Sequence, residues 1–326
     1  MKLFDYSLNH SNQDFTGISV GMIGAGKMAK IHSKVLLKVF KNVKLKAVCS
    51  RSIESAKKLS SEFSYEKSYT DIKCMLDENP EINAIILAVS HEQSYVILKE
   101  LIPYQRYILA EKPASFSYTD NLELVKLAQQ FSTEIMVAVN RRFYVNYNDA
   151  YFDHLRRGPV KLMHVEVNEP IQNFRSRRHF SNWLYSNWPV ANSIHYIDLI
   201  RHFMGDLLEI KLIEHLGEND CKAYLKMKNG DAFVNIAYNS AAPSGFRFYG
   251  NGISADFSGL TNLYFPAHSY ELNNSQFEEE FKPGIIGQMD YFLNAVLNKS
   301  KIQVPASNIE DHGQSINLVE QLFGTN

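Results

Sequence analysis

Cysteine is scarce in this chain. The three present, Cys49, Cys74 and Cys221, are scattered and form no C-x-x-C pair. That leaves no paired-thiol metal or redox site, and all three are expected as buried free thiols. A surplus of either charge is also missing: 34 Lys and Arg face 35 Asp and Glu, a formal net charge of −1. No broad attraction to nucleic acid follows from such a balance. Long apolar runs are absent, the longest being of the type "AIILAV", far too short to cross a bilayer. The opening "MKLFDYSLNHSNQDF" lacks the apolar core of a secretory signal, so a cytoplasmic location is expected, with neither membrane nor nucleic acid as partner. No internal repeat or low-complexity tract occurs. His195 and His202 stand seven residues apart, about 10 Å along a helix, too far to share one ion, and no metal site is expected.

What the chain does contain is enough apolar residue for two cores: 326 residues, 45% hydrophobic and 21% charged. Residues 1–16 are polar and aperiodic and read as an extension. "ISVGMIG" then reads as a short apolar strand, and "KMAKIHSKVLLKV" places Met28, Ile31, Val35 and Val39 at helical spacing. Between them lies "GAGKMA", with Gly24, Gly26 and Ala29 in the Gly-x-Gly-x-x-Gly/Ala pattern. At a strand-to-helix junction that pattern has a mechanism. The first glycine allows the tight turn, the second lets a pyrophosphate approach the backbone, and the small third residue lets helix pack on strand. Gly24, Gly26, Lys27, Met28 and Ala29 are therefore candidate cofactor contacts at a helix N-terminus. A glycine turn without ligand, and the methyl-donor-binding fold, remain open from this segment alone.

The end of the next strand, "VKLKAVCSRS", discriminates between cofactors. NAD binding calls for an acidic side chain there, whereas this chain has Ser50 and Arg51, a hydroxyl and a planar cation suited to a 2′-phosphate. NADP(H) is favoured, with NAD(H) second. Strands "INAIILAVS", "RYILAEKP" and "TEIMVAVNRRF" then alternate with helices "EQSYVILKELI" and "YTDNLELVKLAQQF". This alternation predicts a doubly wound parallel sheet over 17–141.

Taken together, the fingerprint, the Glu111-Lys112-Pro113 motif after the fifth strand, "NRRF" and "SIHYIDLIRHFMG" resemble the Gfo/Idh/MocA family of NAD(P)-dependent oxidoreductases. "GIIGQMDYFLNAVLN" and "IEDHGQSINLVEQLF" look like that family's closing helices, so the resemblance runs from about Ile18 onward. It implies an α/β Rossmann domain followed, over 142–326, by an α+β domain with an open, mostly antiparallel sheet that binds substrate and pairs subunits into dimers or tetramers. It also implies hydride transfer between nicotinamide and a sugar, an inositol, or a phosphorylated or nucleotide-linked relative. Lys112 would lie at the reacting oxygen, with a cis peptide before Pro113. Lys112 and His195 form the expected catalytic pair, since a positioned lysine or histidine contributes about 10²–10⁴-fold by proton transfer. Ser90, His91, Glu111, Lys112, Pro113 and Asn140 join the expected cofactor contacts.

Two positions depart from the family pattern. The aspartate that many relatives carry four residues before the histidine is Ala191 here, beside Asn192 and Ser193. The loop usually written Thr-Pro-Asn-x-x-His reads Val89 to Ser94, with Ser94 at its final position. His91 is one replacement for that role. Altered acid–base partners, or cofactor binding without turnover, are the two consequences. In the second half, "VKLMHVEVNE" alternates as a half-buried antiparallel strand. "IQNFRSRRHFSNWLYSNWPVANSIH" gathers Arg175, Arg177, Arg178 and aromatics just before His195. Aromatic faces and polar forks suit a carbohydrate, and the arginines suit an acidic one. Lys112, Arg142, Arg178, Trp183, Asn192 and His195 are the candidate substrate contacts. The rivals are reduction of a non-sugar carbonyl or imine, and a non-catalytic NADP-binding protein.

Overall fold

Every residue of Ser19–Ile23, Ala84–Leu87 and Ile135–Ala138 is buried. Runs that are apolar throughout, rather than alternating, belong to strands covered on both faces. The computed structural model, which describes residues 13–177, 180–216, 220–238, 240, 242–251, 253–258, 262–264 and 280–324, forms two units, each with its own core.

In the first unit, strands β1 (Ser19–Ile23), β2 (Lys44–Cys49), β3 (Lys67–Tyr69), β4 (Ala84–Leu87), β5 (Tyr107–Glu111) and β6 (Ile135–Ala138) pair in parallel in the order β6-β5-β4-β1-β2-β3. The linking helices are α1 (Lys27–Val39), α2 (Ile53–Phe63), α3 (Ile72–Asp77), α4 (Ser94–Leu101) and α5 (Tyr118–Phe131). Strand order reverses between β1 and β4, and an open sheet of this kind presents its ligand crevice there, beyond the carboxyl ends of its strands. The expected extension is partly structured: Phe15 is fully buried and packs edge-on against Phe40 at 5.4 Å.

The expected boundary at 141/142 falls at Phe143/Tyr144, and among the described residues the first unit also takes back 280–313. The reason is apolar. Helix α10 (Ile285–Asn298) buries Ile285, Met289, Phe292 and Leu293 in the core that holds Val35 and Leu36 of α1. A two-residue strand, β14 (Ser307–Asn308), adds antiparallel to β6. The last helix, α11 (Ile309–Phe323), starts in this unit, and its residues from Gln314 belong to the second.

The second unit has helices α6 (Val145–Arg157), α7 (Ile171–Arg177), α8 (Asn182–Ser186) and α9 (Ile194–Met204). Its sheet joins β7 (Leu162–Glu169), β8 (Leu207–His215), β9 (Cys221–Met227), β10 (Gly230–Tyr238), β11 (Gly245–Gly250), β12 (Ile253–Ser258) and β13 (Asn262–Tyr264), in the order β13-β12-β11-β7-β10-β9-β8. The sheet is antiparallel except that β7 pairs parallel with β10, which corrects the purely antiparallel expectation for β7. The helical stretch after β7 carries the chain to the far edge, and the meander β8-β9-β10 then returns alongside β7 in the same direction. One face of the sheet carries α9 and an aromatic cluster of Tyr147, Phe203, Phe246, Phe248 and Phe257. The other face is open, with Leu212, Phe233, Tyr224 and Leu162 around a groove of about 510 Å³. Cys49 and Cys221 are buried, and burial pushes their thiols up to about 11 and about 12, whereas Cys74 is exposed, correcting the expectation for that residue.

Candidate functional site

The chain leaves β1 through Gly24, whose φ of +104° a side chain rarely adopts. A Cβ there would lie 2.2 Å from the carbonyl oxygen of Ala88, the residue after β4. Gly24 N–H donates to the Cys49 carbonyl and Ala88 N–H to that of Ile23, both at 2.8 Å, so the carboxyl ends of β1, β2 and β4 are knitted together around this glycine. Gly26 is different in kind. It is the N-cap of α1 with extended backbone, no side chain caps the helix, and an added Cβ would meet nothing within 4 Å. Lys27 opens the helix, no acid stands in its first turn, and Ala29 is fully buried against the core. Uncapped amides, an aligned helix dipole and open space in front of them fit an anion such as a pyrophosphate. Burial in α1 falls on Ala29, His32, Ser33, Val35, Leu36 and Val39, while Met28 and Ile31 of the expected stripe are only partly covered.

At the end of β2, Ser50 is half-buried and Arg51 exposed, and no ion pair engages Arg51 among the described residues. The next residue, Ser52, caps α2 by accepting from Ser55 N–H at 3.3 Å and gives its hydroxyl proton to Glu54 at 2.6 Å. Glu54 is therefore held by Ser52, and the strand end itself carries a hydroxyl and a cation.

Beyond β4 and β5 the remaining first-unit candidates meet. Ser90 is exposed, and His91 begins a short turn with its ring edge-on to Phe116 at 6.4 Å. Burial, and then the charge of Lys112, push the His91 imidazole down to about 4, so it is neutral near pH 7. Ser94 is 2% exposed at the start of α4 and, as a hydroxyl, does not ionise near neutral pH as the family histidine would. Glu111 ends β5 and pairs with His32 of α1, Nε2 to Oε1 at 2.7 Å. Burial raises the Glu111 carboxyl, but the His32 hydrogen bond and the charges of His32, Lys282 and Lys112 outweigh it and leave the group below its usual range. The Lys112–Pro113 peptide is cis, as the resemblance implied.

"NRRF" turns out to be largely scaffold. Asn140 donates to the Pro283 carbonyl at 2.8 Å. Arg142, 1% exposed, pairs with Asp311 at 2.6 Å and approaches the Pro305 carbonyl at 3.5 Å. The substrate contact expected of Arg142 would require that pair to open. His32 and Lys282 escaped the sequence reading. His32 follows Ala29 and precedes Leu36 on a helical stripe, a signal that was present. Lys282 returns from far downstream, and only the fold brings it where the charges of Glu111, Arg141 and Lys27 act on it. Desolvation lowers its ammonium first, with Glu111 opposing the shift and Arg141 and Lys27 adding to it.

In the second unit, a π-helical turn, Pro189–Ser193, leads into α9, where His195 is 6% exposed. Ala191 is buried and Asn192 half-buried. Trp183 is 45% exposed on α8. Arg178 lies outside the described residues. The basic loop is organised by aromatic packing: Tyr185 stacks on Trp188 at 5.8 Å, Phe174 lies 5.4 Å from Trp188, and Arg175 sits over the Tyr185 ring at 5.1 Å. Glu169, at the end of β7, was also missed. Met163, Val165, Val167 and Glu169 share the buried face of the strand, so an acid stands where alternation calls for an apolar residue.

Residues 18–139 match the family described as "Oxidoreductase family, NAD-binding Rossmann fold", GFO_IDH_MocA. Among curated proteins, an uncharacterized oxidoreductase of Bacillus subtilis (strain 168), YrbE, is 25% identical over 195 residues, 58% of this chain and 54% of that protein. The matched segment thus spans about half the length of that relative. Two crystal structures share the fold over nearly the whole length. One is an oxidoreductase from Agrobacterium radiobacter in complex with NAD+, L-tartaric acid and magnesium, with TM-score 0.73, 14% identity, and coverage of 95% of this chain and 97% of that one. The other is myo-inositol 2-dehydrogenase from Lactobacillus plantarum, with TM-score 0.71, 20% identity, and coverage of 94% and 97%. The β1–Gly24–α1 junction lies inside a sheet of dinucleotide-binding strand order, and residues 18–139 match the NAD-binding Rossmann domain of the Gfo/Idh/MocA oxidoreductase family.

Proposed function

We propose that this protein is an NADP-preferring oxidoreductase that moves hydride between nicotinamide and a carbinol carbon of a sugar or polyol. The observation that carries the reading is the uncapped N-terminus of α1, where a Cβ added at Gly26 would meet nothing within 4 Å. When bound, the nicotinamide supplies the hydride acceptor or donor. The chain supplies the rest. The α1 amides hold the pyrophosphate, Ser50 and Arg51 take the 2′-phosphate, and Glu111, tied to His32, fixes the backbone from which Lys112 extends. Lys112 Nζ gives a proton to the carbonyl oxygen in reduction and receives it from the hydroxyl in oxidation. Neutral His91 offers a hydrogen bond there rather than a charge. His195 and Asn192 are the second unit's substrate groups.

Titration with NADPH and NADH, followed by energy transfer from the tryptophans to the reduced nicotinamide, tests the cofactor reading; binding of neither would end it. Preference for NADPH is expected in the wild type, and Arg51→Asp is expected to reverse it by at least about tenfold, since it replaces a charge-assisted pair with like-charge repulsion. An unchanged ratio would remove Arg51 from the cofactor site. Ala191 and Ser94, both buried and neither able to ionise near neutral pH, favour a second reading, cofactor binding without turnover. A screen of polyols, sugars and imines that finds no turnover despite tight NADPH binding would support it. The open face of the second-unit sheet is proposed to seat a second copy, since Phe233 and Leu212 are 46% and 57% exposed on it. Phe233→Asp is then expected to give monomers by light scattering, and a wild type already monomeric would refute this.

A further inference from the structure

Glu169 is 4% exposed, and its two oxygens are both engaged from the turn that precedes His195. Oε2 accepts from the Trp188 indole N–H, and Oε1 accepts from Asn192 Nδ2 at 3.0 Å. Trp188 and Asn192 lie at opposite ends of the π-helical turn, so one buried carboxylate grips both. An ionised carboxylate only accepts hydrogen bonds, and this settles which way the Asn192 carboxamide faces: its NH₂ is turned to Glu169 and its Oδ1 away. Asn192 keeps accessible surface while Glu169 does not. Burial first, and then the negative charge of Glu169, push the Tyr238 hydroxyl well up, and that hydroxyl lies 2.6 Å from Ser193 Oγ in the same turn.

We propose that Glu169 is a specificity-determining residue: by holding Asn192 with its carbonyl oxygen outward, it makes this subsite take a hydroxyl or another hydrogen-bond donor and reject a carboxylate or phosphate. The proposal rests on the reading of the second unit as the substrate-binding one. It narrows that reading, because the nearby arginines by themselves invite an acidic substrate. Arg175 is already stacked on Tyr185, whereas the carboxylate and the fixed carbonyl both repel an anion placed at Asn192. Glu169 acts through Asn192 and is a positioning residue.

The test uses the full chain saturated with NADPH and the indole N–H signals of its two tryptophans. Trp183→Phe assigns the Trp188 signal. Matched probes are titrated, with myo-inositol and D-glucose as neutral members and myo-inositol phosphate and D-glucuronate as anionic ones. In the wild type the Trp188 signal is expected downfield, to respond to the neutral probes, and to respond at least about tenfold more weakly to the anionic ones. In Glu169→Gln the signal moves upfield and the preference shrinks to about twofold, because a glutamine carbonyl or amide accepts either orientation of Asn192. Asn192→Leu serves if Glu169→Gln does not fold: it keeps the Trp188 signal in place and loses the neutral probes. Anionic probes binding as well as neutral ones in the wild type, or a full preference kept in Glu169→Gln, overturns the proposal. So does NADPH binding with no response to any probe, which leaves the cofactor reading standing. Failure to bind NADPH at all defeats that reading instead.

Discussion

Replacing Lys112 by alanine is expected to lower turnover by about 10²–10⁴-fold, the range for loss of a positioned proton donor or acceptor. NADPH affinity is expected to stay within about threefold, less than the effect of one ordinary hydrogen bond. The two expectations separate because different parts of the crevice carry them. In the proposed reading, phosphate binding would draw on the amides of α1 and on Gly26, and proton transfer on Lys112. Proton transfer needs a group at the end of β5, and of the described titratable groups there, Glu111 is tied to His32 at 2.7 Å and His91 is held neutral by burial and by Lys112. Neither can replace a cationic donor at neutral pH. Removing Lys112 also lifts the repulsion that helps keep His91 neutral, so the variant's residual activity should rise as the pH falls toward the range where His91 titrates. Steady-state kinetics against pH, with cofactor titration alongside, checks all three points. Turnover unchanged in Lys112→Ala would remove the lysine from the chemistry. Equal losses in binding and turnover would make it a cofactor contact only.

Gly24→Ala and Gly26→Ala are expected to part company completely. At Gly24 the new methyl carbon would fall 2.2 Å from the Ala88 carbonyl oxygen, on backbone at φ +104°. Neither a side chain nor a rotamer can yield there, since the clash is with the backbone that pairs β4 to β1. Overpacking and left-handed strain each cost about 1–3 kcal/mol, so a loss of about 2–6 kcal/mol is expected, enough to unfold a marginal domain. Gly26 has neither problem, with φ −85° and open space around it. Its alanine variant should lose no more than about 1 kcal/mol of stability, the cost of alanine at an N-cap. It should nevertheless bind NADPH at least about tenfold more weakly, because the methyl group stands where a pyrophosphate must touch the backbone. Thermal melts and cofactor titration of the two variants decide this. A Gly26→Ala protein with unchanged affinity would mean that the space before α1 is not the phosphate cradle.

Within the crevice, the residues that could be read from the chain alone are those whose role is local. The Gly24–Gly26–Ala29 spacing needs only a strand before it and a helix after it, and β1 and α1 supply both. Ser50 and Arg51 follow from counting along one βα unit. His32 was legible in principle, since it falls on the buried stripe with Ala29 and Leu36, but helical periodicity marks a face and does not tell that a histidine on it will find Glu111, 79 residues on. Arg142 shows what local reading leaves out. A polar motif next to a site reads as contact, yet its guanidinium is used up by Asp311, 169 positions later.

The alternation of strands and helices through Phe143, apart from the short β3 and α3, the turn that suits a pyrophosphate and the absence of an acid at the end of β2 were determined by the sequence itself, because hydrophobic periodicity and glycine conformational freedom act over a few residues. Tertiary structure decided the rest. The return of residues 280–313 to the first unit, the parallel pairing of β7 with β10 and the grip of Glu169 on Trp188 and Asn192 all join residues distant in the chain. Such contacts depend on which apolar faces bury each other and which buried polar groups must then be satisfied, and neither condition is written in any single segment.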